Sequence, residues 1–370
     1  MSFVHDTLAQ RVILGSGLAA QAVADEVTRL GRRRVMVVAG GSEAGLADQI
    51  AEGLVSAGLQ VTLRWGEVRQ HVPLELARRA QAAAARADID VIVSVGGGST
   101  TGLAKAIAME VDAPILAVPT TYAGSEATTM WGLTDGGTKT TGDDPRVLPA
   151  TVIYDAELTT SLPVDLTVAS GLNGLAHCVD SLWAPRANPI NAAMALEGAR
   201  ALATGLPAVV ADPGDLEGRE RCLYGAYLAA LSFASAGSGM HHKICHVLGG
   251  TYDLPHAQTH AVVLPYVLAH NAWAVPAEAG RLALALGAAP GRVEEAPAAA
   301  AIEVLEQLRV SLGAPRDLAG TGLAESALAE AAVACLAVIP ASNPAPVTEA
   351  SVSALLRAAW AGDTPTLIRS

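Results

Sequence analysis

The sequence predicts an α/β protein in two parts, a parallel-sheet domain over residues 1–156 and an all-helical domain over residues 157–370. Three observations carry this reading. Short β-rich runs alternate with Ala-rich helical patterns as far as Asp155. The β signal fades after Leu162-Pro163, and 370 residues are more than one ordinary core serves.

Arg11–Leu14 reads as a first strand leading into a glycine turn, and Val35–Ala39 (VMVVA) as a second, followed by a helical pattern from Ser42 to Ser56. Gln60–Arg64 comes next, then a helix from Pro73 to Arg86. Asp90–Val95 is almost wholly apolar, as a strand covered on both faces should be. A helix from Ser99 to Glu110 and a strand at Pro114–Val118 complete the repeating pattern, whose spacing makes βαβ crossovers and a parallel sheet. Thr- and Gly-rich Met130–Gly142 predicts a hairpin or flap, and Val152–Tyr154 a last strand. Beyond Pro163 lie long helical stretches, among them Ala192–Ala203, Arg219–Ser235 and Ala298–Leu312.

Composition excludes several classes. With 51% apolar and 16% charged residues the chain is no disordered segment. A net charge of −12 has the wrong sign for coating nucleic acid. Cys222–His242 and Leu254–Ala277 lack charged residues other than histidine, yet serines and glycines interrupt the first and three prolines the second. Both read as buried stretches of a folded core rather than membrane spans. Met1–Asp6 lacks the basic start and apolar run of a signal peptide, and the four cysteines form no CxxC pair, which fits a reducing cytoplasm.

Two glycine motifs compete for a nucleotide. Gly15-Ser16-Gly17-Leu18-Ala19-Ala20 matches GxGxxA, but the next strand ends Ala39-Gly40-Gly41 instead of on the acid that would bond a ribose. It reads as a tight turn into a helix. Gly96-Gly97-Gly98-Ser99-Thr100 follows the buried strand and opens a helix, where glycines admit a diphosphate and free N–H groups face it. Thr120-Thr121-Tyr122-Ala123-Gly124-Ser125 is a second hydroxyl-rich loop at a strand's carboxyl end, where open α/β sheets bind ligands. Five of nine histidines fall between His241 and His260. His242 and His246 are an i,i+4 pair, as are His256 and His260 if that segment is helical. Such a cluster can build a metal site with one more carboxylate, or a polar pocket for an anion with Lys243 beside it.

GGGST with TGLAKAIA, PTTYAGSE, VIYD, NGLAHC and CHVLGGTYDLPHA, in this order from Arg11 to Ala272, resemble the iron-containing alcohol dehydrogenase superfamily. PTTYAGSE, Thr134–Pro149 and His241-His242-Lys243 are most similar to its maleylacetate reductase branch. The resemblance implies a Rossmann-like N-terminal domain, a helical C-terminal domain and an active site between them. It makes the motif at Gly15 a decoy. It implies that Gly96, Gly97, Gly98 and Ser99 take the NAD(P) diphosphate, and that Thr120, Thr121 and Ser125 lie beside ribose and nicotinamide. Gly40 and Lys139 join the cofactor set; NADH is the expected reductant and NADPH stays open, since no Asp or Glu ends the second strand. Metal-binding members use an Asp, a His four residues on and two further histidines, which the resemblance puts at Asn173, His177, His246 and His256. Asn173 removes the only anionic ligand, so no catalytic metal is expected; were one bound, His177, His246 and His256 would hold it.

The implied reaction is NAD(P)H-dependent reduction of the C2=C3 bond of maleylacetate to 3-oxoadipate in aromatic-compound degradation. His246 and His256 are then candidate donors to the enolate oxygen or the carbon, with His177 and Asn173 orienting substrate. His242, Lys243, Arg146, Lys139 and Tyr122 are candidate contacts for a dianionic keto acid. A homodimer is the family's habit. The alternatives are a metal-dependent alcohol or polyol dehydrogenase and, in another class, a non-catalytic nucleotide-binding protein, which would have no need of the clustered histidines.

Overall fold

A computed structural model describes residues 2–136 and 138–367, the side chains of Thr138 and Lys139 excepted. In chain order the α/β unit runs β1 (Arg11–Gly15), α1 (Ala19–Arg29), β2 (Arg34–Ala39), α2 (Ala44–Ser56), β3 (Gln60–Trp65), α3 (Leu74–Arg86), β4 (Val91–Gly96), α4 (Gly98–Glu110), β5 (Ile115–Pro119), β6 (Met130–Asp135), β7 (Thr138–Asp143) and β8 (Thr151–Asp155). Six strands form one sheet in the order β1-β8-β5-β4-β2-β3, every neighbouring pair parallel. β6 and β7 pair antiparallel as the expected hairpin.

Alternation along the strands explains the two layers of helix. Val35, Val37, Val91, Val93 and Val95 pack with α1 and α2, whereas Met36, Val38 and Ile92 pack with α3 and α4. Both faces of β4 are covered, which is why its sequence is a continuous apolar run. The chain leaves β2 towards β3 in one direction and β4 towards β5 in the other. β2 and β4 therefore flank the switch point of the sheet, and Gly40 and Gly96–Gly98 stand at their carboxyl ends.

The helical unit comprises α5 (Val164–Ser181), α6 (Pro189–Ala211), α7 (Leu216–Ala236), α8 (Met240–Tyr252), α9 (His256–Asn271), α10 (Pro276–Ala285), α11 (Pro290–Glu295), α12 (Pro297–Ser311), α13 (Leu328–Leu336) and α14 (Glu349–Ala361). Proline at the first position starts α6, α10, α11 and α12, where its missing N–H costs nothing. The two compact units are Thr7–Leu162 and Pro163–Ser370, the latter with Met1–Asp6. The junction thus lies a few residues beyond the expected boundary at 156. The Asp155 carboxylate accepts from Glu157 N at 3.1 Å, which ties the turn Ala156–Thr159 to the end of β8.

The charge-poor stretches fall in α7, the start of α8 and α9, with Gly237 ending α7 and Pro265 inside α9. Among the described residues no helix is long and apolar enough to cross a membrane.

The GxGxxA segment is a turn whose anion site is already filled. Asp155 accepts from Gly17 N at 2.8 Å, Leu18 N at 2.7 Å and Ala19 N at 2.9 Å, so the start of α1 is occupied by a carboxylate of its own unit. Asp155→Ala should lower the unfolding free energy by about 2 kcal/mol, because it strands donors at a helix start. Urea denaturation measures this; an unchanged midpoint would mean that water serves those donors equally well.

Candidate active site

The histidines converge within the helical unit because three helices, α5, α8 and α9, bring them together and α7 closes one side with Phe233. Asn173 and His177, one turn apart on α5, are both buried. His242 of α8 stacks on His177 with ring centroids 4.7 Å apart and planes at 10°. Phe233 of α7 packs against both rings, 4.8 Å from His177 and 4.2 Å from His242. α9 begins at His256, so His256 and His260 do share one helical face, with rings 4.4 Å apart. His260 is buried and lies 4.9 Å from His242 and 6.5 Å from His246. His246 and His256 are exposed, and Lys243 is half-buried next to His242. The ring set against His177 is therefore His242, which the spacing had not singled out over His246.

Asp180, three residues after His177 on α5, organises this arrangement. It has no exposed surface, and its carboxylate meets His242 Nδ1 at 2.8 Å and accepts from Gly239 N at 2.9 Å. Longer contacts of 3.4 Å run to the N–H groups of His241 and His242. Burial pushes the Asp180 carboxyl up to about 7 despite these donors. Burial also pulls His177 down to about 3 and His242 well below the usual imidazole range, with neighbouring histidines adding to the effect. The cluster is thus built from neutral rings, with one proton held readily by Asp180. Sequence reasoning passed over Asp180, although an acid in the apolar run NGLAHCVDSLW was its signal.

In the α/β unit the two loops at the sheet's carboxyl edge touch each other. Thr120 N donates to Gly96 O at 3.3 Å. Gly96 adopts φ +146°, a conformation that L side chains rarely take. A Cβ on Gly97 would come within 3.0 Å of the Thr121 side chain, so this glycine admits the neighbouring loop as well as any ligand. Gly98 opens α4, whose N-cap Gly97 offers no side chain to the free N–H groups; Ser99 and Thr121 are half-buried there. Thr120 is buried, and Ser125 is half-buried with its carbonyl turned to Lys105. Tyr122 has no exposed surface, so its ring packs within the loop after β5. Lys139 has only its backbone among the described parts, in β7. Arg146 lies beyond the hairpin and is engaged by Asp144 at 2.6 Å.

Two charged residues in this unit escaped the sequence reading. Glu43 starts three residues after Gly40 in a short turn, and its carboxylate folds back to 3.0 Å from where a Gly40 Cβ would stand. An acid therefore does reach the end of β2. Lys105, a lone charge within LAKAIA of α4, is fully buried; its Nζ donates to the carbonyls of Ser125, Thr128 and Met130 at 2.7–2.8 Å. Burial pulls its ammonium down to about 7, opposed by Glu126 and Asp143. Glu126 is buried too and accepts from the Tyr154 hydroxyl at 2.7 Å. Together they fix the course of the chain from Ser125 to the start of β6.

The sequence description "Iron-containing alcohol dehydrogenase" matches residues 9–156, and "Fe-containing alcohol dehydrogenase family, C-terminal" matches residues 167–360. A maleylacetate reductase of Sphingobium indicum is 44% identical over 99% of both chains. The crystal structure of an iron-containing alcohol dehydrogenase from Corynebacterium glutamicum is 54% identical, covers 100% of this chain and 99% of its own, and superposes with a TM-score of 0.93. That of a maleylacetate reductase from a Rhizobium species is 42% identical, with a TM-score of 0.90 over 98% of this chain and 99% of the other.

Replacing Lys105 by methionine would keep the volume of the stem and leave three buried carbonyls without their donor. Stability should fall by about 3 kcal/mol, and NADH affinity should fall with it as the loop after β5 loosens. Thermal melting and fluorescence titration with NADH read the two effects separately; a loss of stability with unchanged NADH binding would limit Lys105 to a structural role.

Proposed function

Since the chain belongs to the iron-containing alcohol dehydrogenase family, we propose that it is an oxidoreductase that reduces the C2=C3 bond of maleylacetate with NAD(P)H to give 3-oxoadipate. The observation that carries the reading is the 44% identity, over 99% of both chains, to a relative bearing that name. The chemistry of the histidine cluster agrees with it. A nicotinamide cofactor held at Gly96–Ser99 would supply hydride for C2; the electrons of the double bond then pass to the C4 oxygen as an enolate, and C3 takes a proton. His242 is the proposed proton source. Its Nε2 gives the proton to C3 while Nδ1 takes one from Asp180, 2.8 Å away, and solvent restores the Asp180 proton. The exposed rings of His246 and His256 donate to the enolate oxygen, and Asn173 and His177 orient the substrate beneath them. Lys243 answers one of the substrate's two carboxylates.

Glu43 supports NADH as the preferred reductant. A carboxylate at the end of β2 can bond a ribose 2′-OH and repels a 2′-phosphate. A cytoplasmic setting suits this cofactor and four buried free thiols.

The family's name implies an iron centre, and the residues here do not fit one. The position of the expected carboxylate is Asn173, whose Oδ1 is buried without a hydrogen-bond partner. His177, His246 and His256 add only neutral donors and are not among the groups whose ligand atoms lie within 4.8 Å of one another. A hard divalent cation would have no anionic partner. Turnover is therefore proposed to be metal-independent, with no step assigned to an ion.

Freshly generated maleylacetate should drive NADH oxidation at the same rate with and without a chelator. Stoichiometric iron together with activity abolished by chelation would overturn the metal-free reading, and no turnover of maleylacetate would overturn the reaction. His242→Ala and Asp180→Asn should each lower kcat about 100-fold while NADH binding stays intact. The wild-type rate should decline as pH rises past about 7, where Asp180 loses its proton, and Asp180→Asn should abolish that limb. A limb that persists in the variant assigns the proton elsewhere.

A further inference from the structure

We propose that His241, Cys245 and His260 form a site for a borderline-soft divalent cation of the zinc class, distinct from the residues assigned to the substrate. His241 and Cys245 are one turn apart on α8 and face His260 on α9. His241 Nε2 stands 3.0 Å from His260 Nδ1 and 3.6 Å from Cys245 Sγ, and the three donor atoms lie within 4.8 Å of one another. A tetrahedral zinc ion with ordinary bond lengths sets two nitrogens about 3.4 Å apart and a nitrogen and a sulfur about 3.6 Å apart. Small rotations of the two rings convert one arrangement into the other.

The chemistry of the surroundings agrees. His241 and His260 have no exposed surface and Cys245 is 2% exposed, so the donors are already stripped of water. The outer nitrogens, His241 Nδ1 and His260 Nε2, are buried without a hydrogen-bond partner. They are where both ring protons must reside once the inner nitrogens bind the cation. Binding therefore moves the proton now lying between the rings to the outer nitrogen of its own ring, and releases the thiol proton of Cys245 to solvent. The thiolate supplies the anion that the Asn173 set lacks, and sulfur selects zinc over calcium or magnesium. Three protein ligands leave a fourth position open.

Cobalt(II) tests the site without reference to the reaction proposed above. Chelator-treated full-length protein titrated with one equivalent should develop the near-ultraviolet thiolate-to-cobalt charge-transfer band and the intense visible bands of a tetrahedral ion, and zinc should displace them. Cys245→Ala should lose the charge-transfer band while His177→Ala keeps it, each variant checked for a cooperative melt; Cys245→Ser serves if the alanine form does not fold. In the unmodified protein, one equivalent of zinc should slow alkylation of Cys245 about ten-fold relative to Cys222, read by peptide mass mapping. No band, a band that survives loss of Cys245 or vanishes with His177, or equal alkylation rates would overturn the proposal.

Discussion

A carboxylate sealed from water governs the polar interior of the helical unit. Asp180 has no exposed surface, and an uncompensated carboxylate there would cost several kcal/mol. The groups that offset this cost come from the first turn of α8: Gly239 N at 2.9 Å and His242 Nδ1 at 2.8 Å, with two further N–H groups behind them. Satisfying Asp180 thus fixes the start of α8 against α5. One turn back along α5, His177 then meets the His242 ring, and on the other side of α8 His241 meets His260. The cluster follows from one buried acid finding its donors.

The same electrostatics separates the helix starts of the molecule. α1 has its first N–H groups filled by Asp155, and α8 by Asp180. α4 differs from both, since its N-cap is Gly97 and no side chain caps it. A chain of net charge −12 that is to accept an anionic cofactor gains from keeping its own carboxylates away from the helix start at the glycine loop, and α4 has neither a side-chain cap nor an acid in its first turn. Burying Lys105 beneath the adjoining loop serves a related end, because its three carbonyl partners hold that loop without bringing an acid to the glycines.

Much of the fold was legible because it follows from periodicity. The apolar run of β4, the Ala-rich crossovers and the Thr/Gly-rich hairpin all lie where the pattern puts them. The strand order was not, since it depends on contacts between distant segments. The site was legible as a concentration of histidines but not as a geometry. Spacing gave His242 and His246 equal standing, and only the approach of α5 decides that His242 is the ring stacked on His177. Tyr122 drew attention because a tyrosine is unusual there for the superfamily, and nothing in the sequence showed that its ring is enclosed. Asp180, Lys105 and Glu43 were passed over for a common reason. Each is a single charged residue to which no spacing rule gives a role, and for Asp180 and Lys105 the importance comes from partners about 20 to 60 residues along the chain. An isolated charge within an apolar helical run, as in LAKAIA or HCVDSLW, is the one local sign that such a partner exists.

The amide at position 173 and the acid at position 180 are connected by what an enolate requires. Negative charge forming on the C4 oxygen must be met by positive charge or removed by a proton, and a neutral amide among neutral imidazoles supplies no lasting cation. A protonated Asp180 behind His242 answers differently. Burial raises the Asp180 carboxyl to about 7, so near neutral pH it can hold a proton to give up. In the proposed reaction C3 takes its proton from His242, and the charge that was on the enolate comes to rest on Asp180. There Gly239 N–H is already aimed at it, and the proton that Nδ1 takes up stays within a 2.8 Å hydrogen bond to it, so little reorganisation is needed. Reduction of a conjugated double bond suits this scheme because it ends with a proton on carbon. An alcohol oxidation at the same rings would have to lose a proton into a site whose imidazoles resist becoming charged. The loss of the carboxylate at 173 and the storage of a proton at 180 therefore favour the same reaction.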